Sequence, residues 1–407
     1  MDIKEKIAQA NEKTVHMLMD SDPVWVDMKP AIECVDGLED HMILHSGPPI
    51  AYEDMTMLHK RGMVSAMLFE GWAKDEEEAV KRLKAGEIKI SSALDHNTVG
   101  AGTGIITKSV VLNVVEDRHN HTVAATFRGW GLYSKEIAEN LRYMREELFP
   151  PMVEALHKLG GIPIKPILAE SMQMGDENHT RQTACDYIYD RLMLPALFEL
   201  DRPKKEIMKT VRYIVDTPRF FHCYGQAAAR AALVAADGTE YSTMVTAVCG
   251  NGVEFGIKIA SLPGQWFTAP APMMKGRYTS SEFTEKDQLP WMGDSCVVEC
   301  YGMGGFAAAA SPIVCNLRGM TLKESIGQTK EMYRITMEKN YNFPIPNLDF
   351  DFLPVGIDIR KVLKEGVCPA IHGGMFNRVG GLIGAGMARV PMQCFEKALV
   401  AFGEKYL

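Results

Sequence analysis

The sequence predicts an α+β protein of more than one domain, with a helical domain embedded between two mixed α/β regions. Three observations carry this. Strand-like alternation and amphipathic helical periods intermingle over residues 1–130, the pattern is helical throughout 131–217, and short β-type runs set among glycine clusters occupy 218–407. At 407 residues the chain is long enough for two or three domains, and 46% hydrophobic with 24% charged residues suits a soluble globular protein.

The elements follow in order. Residues 3–19 place Ile7, Ala10, Thr14, Met17 and Leu18 on one side of an amphipathic helix that Asp20-Ser21-Asp22-Pro23 ends. Residues 24–28 alternate like a strand, and a helix is expected near 37–41. The turn-rich segment 45–54 leads into a helix capped near Glu53-Asp54, while 63–69 reads as a buried strand or helix. Residues 74–85 form an exposed helix stopped by Gly86, whose charge run is a solvated face. Strand-like runs at 88–90, 110–115 and 122–127 surround a glycine-rich loop at 95–104. Helical periods then cover 137–148, 152–159, 167–172, 180–197 and 204–215, punctuated by Pro150-Pro151, Gly160-Gly161 and Pro195. Beyond Phe220 come an alanine-rich helix at 227–236, β-type runs within 243–259 around Gly250-Asn251-Gly252, a rigid aromatic and proline segment at 266–272, and a glycine loop at 302–305 opening a small-residue helix at 307–310. A helix at 392–404 closes the chain.

Composition excludes several classes. A net charge of -8, with no Lys/Arg run, argues against nucleic acid as a partner. No apolar run approaches the roughly 20 residues that span a bilayer, and the N-terminus lacks a signal-peptide core, so a cytoplasmic protein off the membrane is expected. Nine Cys scattered among apolar neighbours read as reduced core thiols. The 26 Met, the small-residue helix at 307–310 and the Pro/aromatic segments provide interface material, so a homo-oligomer is expected.

Chemistry-bearing residues concentrate in 174–181. Asp176, Glu177, His179 and Arg181 set two carboxylates, a proton-transfer group and a planar anion fork within eight residues. Gly175 allows a sharp turn, and Asp176 suits the N-cap of a helix starting at Thr180, so a plain helix start is the alternative. His96 and Asn97 lie beside Gly100, Gly102 and Gly104, where an imidazole and backbone N–H groups can polarise a carbonyl, although a hairpin-type loop explains them as well. Asn251, Glu254 and Glu299 are polar residues in apolar surroundings, Gly304 and Gly305 offer backbone amides to an anion, and Asp358 with Arg360 suits either an ion pair or an anion clamp. Phosphate-loop, dinucleotide, GxSxG and HExxH signatures do not occur. His41-x-x-x-His45 has helical metal spacing, yet Ser46-Gly47-Pro48-Pro49 breaks a helix, so neither a metal nor a cofactor is expected.

Taken together, Leu44-His-Ser-Gly-Pro-Pro-Ile, Asp95-His-Asn-Thr-Val-Gly, Met174-Gly-Asp-Glu-Asn-His-Thr-Arg, Asn251-Gly-Val-Glu-Phe-Gly, Trp266-Phe-Thr-Ala-Pro-Ala-Pro, Met303-Gly-Gly-Phe-Ala and Gly356-Ile-Asp-Ile-Arg resemble the bacterial YlbE/YahG family, from roughly residue 25 onward. That family, long of unknown function, includes AllG, a subunit of the oxamate carbamoyltransferase of anaerobic allantoin breakdown. One departure is Asp95, where the resemblance leads us to expect a second His in many relatives. The resemblance implies a carbamoyltransferase subunit that converts oxamate and carbamoyl phosphate to oxalurate and phosphate, or the reverse, beside FdrA-like and AllH-like subunits. Such a reaction asks for two anion sites, a base and oxyanion donors. Arg181 with the 302–305 loop would hold phosphate or carboxylate, His179 or Glu177 would move the proton with Asp176 beside them, and His96 with Asn97 would polarise the carbonyl. Asn251, Glu254, Glu299 and Arg360 complete the candidate binding residues. One composite cleft is expected to join 174–181, His96-Asn97 and 302–305. The alternatives are a non-catalytic scaffold subunit and a metal-assisted amidohydrolase.

Overall fold

The computed structural model describes residues 2–127, 134–179, 183–217, 220–221 and 223–407. Its first helix, Ile3–Asp20, starts from a reciprocal cap in which the Asp2 carboxylate accepts from the Glu5 amide and Glu5 from that of Asp2, and it buries Ile7, Val15 and Leu18. The strand Pro23–Pro30 follows and turns Val24 and Trp25 inward. It pairs antiparallel with Val111–Asp117 and Ile162–Pro163 in a five-stranded sheet that also contains Thr122–Phe127 and Thr98–Val99. This sheet packs against the helix Tyr224–Ala236, whose alanines allow close approach on almost every side; the Trp25 ring lies 4.2 Å from that of Tyr224.

The same helix touches a second sheet, of four strands in the order Phe267–Pro270, Glu254–Ile259, Val245–Asn251, Met292–Gly293. A three-stranded sheet (Lys275–Tyr278, Leu382–Arg389, Ala370–Phe376), a long hairpin (Thr336–Ile345 with Asp351–Ile357) and a parallel pair (Met42–His45 with Lys89–Ser92) complete the β-structure. Mixed helices and several small sheets make this an α+β fold. Among the described residues of the helical run from Lys135–Tyr143 to Lys204–Asp216, Ile162–Pro163 is the one strand. One continuous apolar cluster runs from Ile7 to Phe402. No helix among the described residues is long and apolar enough to cross a membrane, and all nine Cys are free thiols.

Several expectations need correction. Residues 37–41 are not helical; Pro30 instead starts a single turn, Ala31–Cys34. Residues 63–69 belong to the helix Met57–Glu70, capped by Thr56 rather than by Glu53-Asp54. By contrast, the expectation that 41–45 is not a continuous helix holds: His45 ends a strand and His41 lies exposed just before its start. The segment Gly304–Ala310 consists of tight turns kinked at Ala307 and is wholly buried, which makes its alanines core rather than interface material.

Candidate active site

The segment 174–179 leaves the helix Ile164–Gln173 through Gly175 at φ +89° and Asn178 at φ +61°. Both lie in the left-handed region, and the Asn178 side chain secures its turn by accepting from Ser171 Oγ at 2.8 Å and donating to the Leu168 carbonyl at 2.9 Å. The Asp176 carboxylate accepts from the Asn178 amide (2.8 Å) and from the Ala184 amide (3.2 Å) in the first turn of Thr183–Tyr187. It therefore caps the helix Thr183–Tyr187. Glu177 and His179 are thereby aimed away from Asp176, into the C-terminal half of the chain.

There they form two buried ion-pair contacts. Glu177 Oε1 accepts from Arg318 Nη2 at 3.1 Å, with both side chains fully buried, and the Glu177 carbonyl accepts from the Gly304 amide at 2.7 Å. His179 Nδ1 lies 3.1 Å from Glu299 Oε1. Glu299 comes from the single turn Val297–Cys300, and its Oε1 also accepts from the Gly305 amide (3.1 Å) and the His372 amide (2.9 Å). The Gly305 and His372 amides donate to the same oxygen, and His179 meets it through Nδ1. Gly304 sits at φ +60°, and a Cβ there would lie 2.3 Å from Glu299 Oε1. Only glycine lets the carboxylate come this close.

His372, on the strand Ala370–Phe376, extends the network. Its Nε2 lies 2.9 Å from Gln328 Nε2, which also donates to the Gly305 carbonyl at 2.8 Å. Burial, and then the charges of Arg318 and His179, push its pKa well below the usual value, so the ring is neutral. Arg318, Gln328 and His372 were not singled out from sequence. No local motif marks them; the only signal was polar residues placed among buried apolar ones.

The other sequence candidates lie elsewhere. Arg181 falls outside the described residues. His96 has both ring nitrogens engaged, with the Asp36 carbonyl at 2.8 Å and Ser91 Oγ at 3.0 Å, on the wall of an open groove of about 520 Å³. Asn97 shares that wall and accepts from Arg230 at 2.9 Å. Among the described residues neither shares a hydrogen bond or a cavity wall with His179. Asn251 holds the turn of its hairpin, accepting from the amides of Val253 and Glu254 and donating to the Pro48 carbonyl. Glu254 accepts from Thr268 Oγ1 at 3.1 Å. Arg360 folds back onto Asp358, the N-cap of Ile359–Glu365, as an ion pair at 2.8 Å. The amides of Gly304 and Gly305 are both spent on the protein's own acceptors.

A second polar knot, also missed, ties the turn at 46–49 to the loop 100–104. His59 Nε2 lies 3.1 Å from the Thr103 carbonyl and 3.3 Å from Ser46 Oγ, and Asp294 accepts from the Gly47 amide (2.6 Å) and the Gly100 amide (3.1 Å). Burial depresses His45 to about 4 and His59 to about 3, and raises Asp294 to about 7. All three are inaccessible to solvent.

The family model described as oxamate carbamoyltransferase subunit AllG matches residues 88–295, a span that contains Glu177 and His179. The chain is 34% identical to the uncharacterized protein YahG of Escherichia coli (strain K12), over 99% of this chain and 88% of that one. It is also 34% identical to the oxamate carbamoyltransferase subunit AllG of the same organism, over 98% of each. The crystal structure of a conserved protein of unknown function from Enterococcus faecalis V583 matches it with a TM-score of 0.95 at 33% identity, covering 100% of both chains. With a family model matching half its length and relatives this similar along almost all of it, the chain belongs to the AllG family.

Proposed function

We propose that this chain is a subunit of a carbamoyltransferase acting on oxamate and carbamoyl phosphate, or in reverse on oxalurate and phosphate, with His179 as its proton carrier. The observation that carries the reading is the His179–Glu299 contact, fixed by backbone donors and set beside Glu177–Arg318, in a chain similar to a carbamoyltransferase subunit. The amide nitrogen of oxamate is a weak nucleophile. His179 Nε2 takes its proton as nitrogen bonds to the carbamoyl carbon and the carbon–oxygen bond to phosphate breaks, and Glu299 holds the imidazolium that forms. In the reverse direction the same nitrogen returns the proton to the leaving amide. Arg181, two residues beyond His179 in the sequence, supplies an anion fork. The complex we envisage is cytoplasmic and self-associating, with FdrA-like and AllH-like subunits.

A second reading, the non-catalytic scaffold, draws on burial: His179 is 4% exposed and Glu299 1%. His179→Asn separates the two, because the Asn amide can keep the donor to Glu299 while removing Nε2. In the complex assembled with its partner subunits, the catalytic reading expects turnover lower by roughly 10²–10⁴ with a nearly unchanged melting temperature. Asp176→Ala should instead lose about 1–2 kcal/mol of stability and keep its turnover. Full turnover of His179→Asn would end the catalytic reading and leave the scaffold.

A further inference from the structure

Around Glu299, two buried polar atoms have no hydrogen-bond partner among the described residues: Glu299 Oε2 and His372 Nδ1. Their chemistry is complementary. Glu299 Oε1 already serves three N–H groups, so Oε2 is the acceptor that remains on that side chain. The Gln328 side chain is fixed by the Gly305 carbonyl, which only a donor can face, and so its nitrogen also donates to His372 Nε2. The neutral His372 ring must then carry its hydrogen on Nδ1. One lone acceptor and one lone donor thus sit on two residues joined by the 2.9 Å bond from the His372 amide to Glu299. Each buried orphan costs about 1–3 kcal/mol unless something covers it.

We propose that Glu299 Oε2 and His372 Nδ1–H form a carboxamide-reading pair: the carboxylate accepts from the substrate's –NH2 and the imidazole donates to its carbonyl. This deepens the carbamoyltransferase reading and rests on it, naming the two atoms that distinguish oxamate from its dicarboxylate analogue oxalate. A carboxylate in place of the amide would set a negative oxygen against Glu299 Oε2, with no hydrogen between them. Gln328 meets His372 on the opposite ring nitrogen, Nε2. Gln328 lines an open groove of about 630 Å³ that also carries Lys330, Arg334 and Arg389 beside Glu324 and Glu331.

The test is calorimetric binding of oxamate and of oxalate to the complex assembled with its partner subunits. Glu299→Gln is the decisive variant, since its oxygen can still accept the three N–H groups while its nitrogen turns the lone acceptor into a donor. Wild type should favour oxamate by at least 10-fold. Glu299→Gln should shift that ratio toward oxalate by about 10-fold or more, and His372→Phe should weaken oxamate by a similar factor. An unchanged ratio in Glu299→Gln, with or without a lower melting temperature, overturns the proposal and leaves a resident water as the bridge. Wild-type protein that binds no carboxamide overturns it too. Loss of turnover in His179→Asn alongside an unchanged ratio would sink this pair while the proton-carrier reading stands; the converse result would do the opposite.

Discussion

Gly304→Ala adds one methyl group, and its cost can be worked from the structure. The backbone at φ +60° costs a non-glycine residue about 1 kcal/mol. The new Cβ would stand 2.3 Å from Glu299 Oε1, 2.7 Å from its Cδ and 3.1 Å from His179 Nδ1. To reach ordinary contact the carboxylate must retreat by about 1 Å. Its three hydrogen bonds, now 2.9–3.1 Å, cannot all survive such a shift. At about 1.5–3 kcal/mol for each bond to a charged group, losing one or two of them brings the total to about 2.5–7 kcal/mol. Gly366→Ala is the control, because it has φ +63° and open space around its Cβ, so it should cost only the conformational term. Urea denaturation of the two variants, with turnover in the assembled complex, tests the reasoning. A Gly304→Ala stability within 1 kcal/mol of Gly366→Ala, with unchanged turnover, would refute the claim that the carboxylate is fixed by this close approach.

Two further outcomes are expected. Arg318→Met should cost about 3–5 kcal/mol by removing a buried ion-pair partner of Glu177, and Glu177→Gln in the same chain should recover part of the loss; strict additivity in a double-mutant cycle counts against direct coupling. Acid should destabilise the fold through His45 and His59: their native values of about 4 and about 3 lie below the unfolded 6.5, so only the unfolded chain gains those protons as pH falls from about 6.5 to about 4, and the stability they contribute above 6.5 is lost. Asp294, raised to about 7, acts in the opposite sense in the same window. His59→Gln should therefore flatten the dependence of stability on pH by up to about 1.4 kcal/mol per unit, and an identical slope in wild type and variant would show that His59 is not held neutral.

How much was legible in the sequence follows from the range of the interactions. The helix Ile3–Asp20 and the strand Pro23–Pro30 are written in caps and alternation a few residues long, and they stand where periodicity puts them. Residues 37–41 offered composition without a periodic face, and tertiary packing left them irregular. At the site, Glu177 and His179 were visible because chemistry is crowded into one segment. Their pairings were not, since Glu299 meets His179 across 120 residues and Arg318 meets Glu177 across 141. The sequence around His96 likewise does not display its contacts: the Asp36 carbonyl and Ser91 Oγ engage both ring nitrogens.

The network also explains why crude truncations will mislead at this site. Glu299 holds His179, Gly305 and His372 with a single oxygen, so its removal strands three donors in the core and disturbs three separate stretches of chain. Stability and chemistry then fall together, and an inactive alanine variant says nothing about which role mattered. Isosteric changes separate them. Glu299→Gln alters only the far oxygen, His179→Asn only the far nitrogen, and each leaves the bond between the two residues able to form. If both variants melt like wild type, whatever changes in binding or turnover belongs to the atom that was exchanged.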